Sequence, residues 1–161
     1  MTTETENISK KKKNNKNGFP IHRIRFGIIL TLLGFIIFLL GIRPGFFQMD
    51  RSPVIGFVQI SVTLIGLAII CIGGYTSIRG LWKGRKPNLA ADIGSRLMST
   101  GYVIAVFAAL ADILGFGSHP YPQSIPYFGE WQAFGVEIAE VIIAIGLFMM
   151  IPFRNYPFIK K

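Results

Sequence analysis

Fifteen of the seventeen Lys and Arg residues fall on one side of a membrane when four apolar stretches, roughly residues 25–42, 56–78, 93–116 and 133–152, are read as spans. No other feature limits the fold as strongly. A helix needs about 20 apolar residues to cross ~30 Å of hydrocarbon. Cytoplasmic loops carry the excess of basic residues, so the charge pattern tests the span assignment independently of hydropathy. On the inner side stand Lys10, Lys11, Lys12, Lys13, Lys16, Arg23 and Arg25, then Arg79, Lys83, Arg85, Lys86 and Arg96, then Arg154, Lys160 and Lys161. Only Arg43 and Arg51 are left outside. The expected architecture is an all-α integral membrane protein with four transmembrane helices in an antiparallel bundle. The expected location is the cell inner (plasma) membrane, multi-pass, with both termini cytoplasmic.

Composition agrees. Of 161 residues, 51% are hydrophobic, and the mean hydropathy is +0.49. Four spans use roughly half the chain and leave no piece long enough for a separate soluble domain. Residues 1–18 are polar, carry Lys10 to Lys13 in a row and show no apolar period. They read as a disordered basic cytoplasmic tail. Residues 19–153 form the membrane domain, with an ordered outer loop over 117–132, and residues 154–161 form a cytoplasmic C-terminal tail. No cleavable signal peptide is expected, and the first span serves as its own targeting signal. The net charge of +9 would suggest nucleic acid in a soluble protein. Here the basic residues flank apolar spans, which points to anionic lipid headgroups at the cytoplasmic face and to no nucleic acid. The single cysteine, Cys71, excludes an intrachain disulfide and reads as a small packing residue.

Helices in lipid associate by close packing, and small residues at the interface allow it. Gly27, Gly34 and Gly41 recur every seven residues in the first stretch, as do Gly66 and Gly73 in the second. Such spacing keeps them on one side of a helix. Gly101, Ala105 and Ala109 form a small-residue ridge in the third stretch, and Gly135 and Ala139 a pair in the fourth. These ten positions are the expected packing surfaces. Gln59 and Thr63 are four apart and share a face, suited to interhelical hydrogen bonds or to a ligand cleft.

The connections are also informative. Arg43 and Pro44 end the first span. Trp82 sits among Arg79, Lys83, Arg85 and Lys86, as expected at a headgroup boundary. Pro87 and Asn88 mark a turn and a helix cap. Asp92 then suits the first helical turn, and Arg96 follows it four residues on. The third helix is expected to start near Leu89 and run to about residue 116, roughly 40 Å at 1.5 Å per residue. The loop GSHPYPQSIPYFGEWQ, residues 117–132, contains no Lys or Arg. Its prolines and aromatic rings read as an outer cap at the interface.

Ionisable residues within spans are costly and are functional candidates by default. Asp112 lies late in the third helix, and Glu137 and Glu140 lie early in the fourth. His119 and Glu130 lie in the connection between them. These five groups are expected to converge toward the outer side, with Arg43 and Arg51 as the partners that lower the cost of the acids. The cluster is either structural or a cation or proton site; its spacing matches no metal motif. No cofactor is expected. His22 precedes the first span and His119 sits in a loop, so neither offers a mid-membrane axial ligand for haem or bacteriochlorophyll. No P-loop, dinucleotide glycine pattern, HExxH or GxSxG is present.

The leading functional expectation is a small non-catalytic membrane subunit. It would pack against a larger membrane complex, respiratory or photosynthetic for example, and stabilise it. Its partners would be other integral membrane subunits. The alternative is an oligomeric transporter or ion/proton-conducting protein that uses the outer carboxylates, which keeps a homo-oligomer open. A membrane enzyme acting on lipid or quinone ranks last, because no nucleophile or metal set is recognisable.

Overall fold

The computed structural model describes residues 21–43, 56–82, 86–115 and 129–152. Among them the only regular elements are four helices: α1 (Ile21–Ile42), α2 (Phe57–Leu81), α3 (Leu89–Ala109) and α4 (Glu130–Met149). Three of these, α1, α2 and α4, are long and apolar enough to cross a membrane. Helix α3 is not among them. Its sequence carries Asp92, Ser95, Arg96, Ser99, Thr100 and Tyr102 on turns that are otherwise apolar.

Local chemistry sets the helix ends. Pro44 disfavours helical geometry in the residue before it, and α1 stops at Ile42. The side chain of Asn88 accepts from Leu89 N at 2.8 Å and caps α3. Arg96 Nε lies 3.3 Å from Asp92 Oδ2 across one turn of α3. At the start of α4, Gly129 N donates to Gln132 Oε1 at 2.9 Å, the glutamine half of a capping box. Glu130 occupies the first turn, where the helix dipole favours an acid.

Helix α3 ends seven residues before the expected boundary at 116. Residues 110–115 form turns, with Ala111 N bonded to Ala108 O at 3.4 Å and Gly115 N to Asp112 O at 3.3 Å. Gly115 has φ of 82°, a left-handed conformation that glycine adopts without a Cβ penalty. The regular helix is therefore about 30 Å long, not 40 Å. Asp112 accordingly sits in the turn beyond α3 rather than late within it.

The helices associate as two pairs. In the first, α1 and α2 run in opposite directions with their backbones almost touching. A Cβ built on Gly27 would lie 2.5 Å from Ser77 N, and one on Gly34 would lie 2.8 Å from Ile70 N. One on Gly41 would collide with Thr63. From the other side, Gly66 abuts Phe38 and Gly73 abuts Thr31. The only buried residues of α1 are its three glycines. In the second pair, α3 and α4 also run antiparallel. Gly94 and Gly146 each face the other's carbonyl, Gly101 faces Ile143 and Ala139, and Gly135 faces Ala108. Ala105 and Ala139 are 0% exposed.

Helix α2 joins the pairs. Its Leu64, Leu67 and Cys71 pack in one core with Met98, Ala105 and Ala109 of α3 and with Val136, Ala139 and Ile143 of α4. Trp82 Nε1 donates to the Met150 carbonyl at 3.0 Å and ties the end of α2 to the end of α4. Helix α1 adds no buried residue to that core and packs mainly against α2.

Candidate functional site

Where the two pairs meet, a crevice of about 280 Å³ opens between the end of α1, the start of α2 and the first half of α4. Gln59 and Thr63 line it from α2, and Glu137 and Glu140 from α4, with Gly41 and Ala109 closing the ends. The helical period makes this grouping. Positions four apart on α2 and three apart on α4 each stack on one face, and the two faces oppose each other across the seam.

The carboxylates lie deep along their helix. Glu137 is the eighth residue of α4 and Glu140 the eleventh of its 20. At 1.5 Å per residue they stand roughly 10 Å and 15 Å from its first residue. Glu137 is exposed, and Glu140 is half-buried. Thr63 Oγ1 donates to its own helix at Gln59 O, 3.0 Å away. Its oxygen keeps lone pairs to offer a ligand, and the Gln59 amide offers both donors and an acceptor. Chemically, the crevice can hold a proton, a small cation or the polar end of another side chain. Among the described residues, no group of three or more His, Cys, Asp or Glu side chains could hold a metal ion.

The expected cluster is only partly assembled in one place. Glu137 and Glu140 share the crevice. Asp112, only 5% exposed, is buried in the turn after α3 and does not line it. Glu130 is exposed at the first residue of α4. Arg43 is exposed and directly follows Ile42, which lines the crevice. His119 and Arg51 lie outside the described residues. Gln132, buried beside Ala133, is satisfied by the Gly129 amide, and among the described residues no buried side-chain nitrogen or oxygen lacks a hydrogen-bond partner.

Three buried, close-packed glycines stand outside the expected set: Gly80, against Ile24 and seven residues on from Gly73, and the pair Gly94 and Gly146. Gly94 and Gly146 make the tightest approach between α3 and α4. Counting seven residues back from Gly101 or forward from Ala139 finds both. The apolar run over 102–116 reads as continuous helix, whereas α3 ends at Ala109, where Leu110 leaves helical geometry with φ of −101° and ψ of 10°. Searches against protein-family models, curated proteins and solved structures find no match to the chain.

Proposed function

We propose that the chain is a small, non-catalytic integral membrane subunit that packs against a larger membrane protein complex and stabilises it. In this reading all four helices cross the membrane as an antiparallel bundle, with both termini on the cytoplasmic side. The observation that carries it is Glu137. It is an exposed carboxylate about a third of the way along a helix long and apolar enough to cross a membrane. An ionisable group at that depth is expensive against lipid and normally faces protein or water. A partner helix that brings a basic or hydrogen-bonding group to Glu137 removes the cost. The same partner would cover the neighbouring Phe134, Ile138 and Val141, which are also exposed.

Two further observations support the topology. The crevice is lined by the last residues of α1 and α3 and by early residues of α2 and α4. At the opposite end, Arg23 of α1, Arg79 of α2 and Lys86 before α3 share one pocket. That order fits an up-down-up-down arrangement with its basic end inside. Helix α3 is the least apolar of the four, yet its hydroxyls need no water. Ser95 donates to Asp92 O at 2.8 Å, Ser99 to Ser95 O at 3.0 Å and Thr100 to Arg96 O at 2.9 Å. Such internal bonds make these side chains tolerable in lipid.

A second reading is favoured by one feature, the pairing of Glu137 and Glu140 with Gln59 in a single crevice. Carboxylates of this kind serve proton and cation pathways, and a homo-oligomer would be needed to enclose such a path. Extraction in a gentle detergent followed by native mass determination separates the two. Recovery at a fixed ratio with a different polypeptide supports the subunit reading. Recovery as a closed homo-oligomer that conducts ions in vesicles, with conduction lost in Glu140→Gln, supports the second.

A further inference from the structure

The basic end of the bundle carries two further cavities, apart from the crevice with the carboxylates. One, of about 500 Å³, is lined by Arg23, Tyr75, Thr76, Arg79, Trp82, Lys86 and Pro87. Three of these seven are cationic and none is acidic. The other, of about 780 Å³, is a groove between α2 and α3 walled by apolar side chains including Ala68, Ile72, Met98 and Val103. Tyr75 lines both, so the groove and the basic pocket adjoin.

The geometry points to a binding site for one anionic phospholipid, its phosphate in the Arg23–Arg79–Lys86 pocket and an acyl chain in the α2–α3 groove. The pocket matches the head. Two guanidiniums and an ammonium supply donors with the fork geometry and charge that a phosphate takes. Tyr75 adds a phenolic hydroxyl, while the Thr76 hydroxyl already donates to Ile72 O at 2.7 Å. The walls are also held in place. Trp82 is fixed by its bond to the Met150 carbonyl at 3.0 Å, and the Arg79 guanidinium stacks over the Tyr75 ring at 5.8 Å. Pro87 stiffens the approach to α3.

The groove matches a chain. From Tyr75 to Ala68 it follows seven residues of α2, about 10 Å from the basic end toward the middle of the helix. On the opposite wall it follows α3 from Ser95 to Val103. The hydroxyls of Ser95, Ser99 and Thr100 on that wall are bonded to their own helix, and Arg96, which also lines the groove, pairs with Asp92 at 3.3 Å. Loose contact between α2 and α3 is what leaves the space. The arrangement is that of a lipid wedged between two helices with its head at a basic interface. This site rests on the placement of the basic end at the cytoplasmic surface, and it is independent of whether a partner subunit covers Glu137.

The test uses the full chain in nanodiscs, with lipid retention read by native mass spectrometry on transfer to detergent. The probes are phosphatidylglycerol, phosphatidylcholine and, as a headgroup without a tail, glycerol phosphate. One bound phosphatidylglycerol should survive where phosphatidylcholine does not. Each basic residue near an anionic surface strengthens attraction about fivefold, so removing three should weaken retention on the order of a hundredfold. That loss is expected for the Arg23→Gln, Arg79→Gln, Lys86→Gln triple variant. A triple Lys10→Gln, Lys11→Gln, Lys12→Gln variant removes equal charge elsewhere and should change retention less than threefold. Val103→Trp, which fills the groove, should weaken the two-chain lipid and leave glycerol phosphate unaffected. Helical circular dichroism and elution volume report folding; should the pocket triple misfold, Lys86→Gln, exposed outside any helix, carries the comparison. Equal losses in the pocket and tail variants would overturn the site in favour of diffuse attraction. Glycerol phosphate competing as well as the lipid would overturn the acyl groove. Both outcomes leave the mass of any heteromeric complex as a separate readout.

Discussion

The two helix pairs reach close packing by different means. In α1/α2 the contact is backbone against backbone: three glycines of α1 meet Ser77, Ile70 and Thr63, and α1 buries no side chain at all. In α3/α4 backbone abuts backbone most closely at one end, Gly94 against Gly146, and along the rest the small residues alternate with larger ones. Met98, Val136, Ile143 and Met150 are buried beside Gly94, Gly101, Ala105, Ala139 and Gly146. Lipid supplies no hydrophobic drive between helices, so van der Waals contact and its geometry set the strength of each pair. A backbone surface cannot yield when a methyl is added, whereas a side-chain surface can shift rotamers. The first pair should be the more brittle, although both are laced with glycine.

The contrast yields an ordered set of outcomes. The largest effect is expected for Gly34→Leu. Its Cβ alone would sit 2.8 Å from Ile70 N, and the rest of the side chain has nowhere to go. Destabilisation at or beyond the top of about 1–3 kcal/mol should appear in denaturation from mixed micelles, together with separation of α1 from α2. Gly101→Ala should cost less, about 1–2 kcal/mol, because two of its three nearest neighbours are the Ile143 and Ile142 side chains. Equal costs for the matched Gly34→Ala and Gly101→Ala would remove the distinction between the pairs. Trp82→Phe tests the tie between the pairs rather than either one. Losing its bond to the Met150 carbonyl should cost roughly 1 kcal/mol and loosen the basic end, seen as faster hydrogen exchange near residue 150. The smallest effect belongs to Arg96→Gln. Its pair with Asp92 is an i,i+4 contact with side chains 80% and 52% exposed, toward the basic end of α3 where long charged side chains reach the headgroup interface, so a change below about 0.5 kcal/mol is expected.

The legibility of the chain follows the same physics. Glycine at intervals of seven in an apolar helix is readable because such a pattern suits close helix contact, and the glycines of α1 and α2 lie at that contact. The cap at Asn88 and the Asp92–Arg96 pair were readable because they depend on neighbours a few residues away. The end of α3 was not. Residues 110–115 are apolar apart from Asp112 and carry no breaker before Gly115, yet the helix has already given way to turns after Ala109. The site was legible in pieces. Gln59 with Thr63 and Glu137 with Glu140 are each visible as a helical face. That the two faces share one crevice depends on how α2 leans between the pairs, which no local pattern encodes. The basic pocket joins residues 23, 79 and 86, whose common position emerges only from the fold.

The proposed packing requires that protein, rather than lipid, covers Glu137 of α4. A photo-crosslinking residue in place of the exposed neighbour Phe134, with Glu137 kept, tests it most directly in the native membrane, read by mass alongside the assembly state of Glu137→Leu. The expected result is a covalent adduct with a polypeptide of different mass, and a Glu137→Leu chain that folds but no longer co-purifies with that polypeptide. Labelling of lipid alone, with the Glu137→Leu chain assembling unchanged, would contradict it.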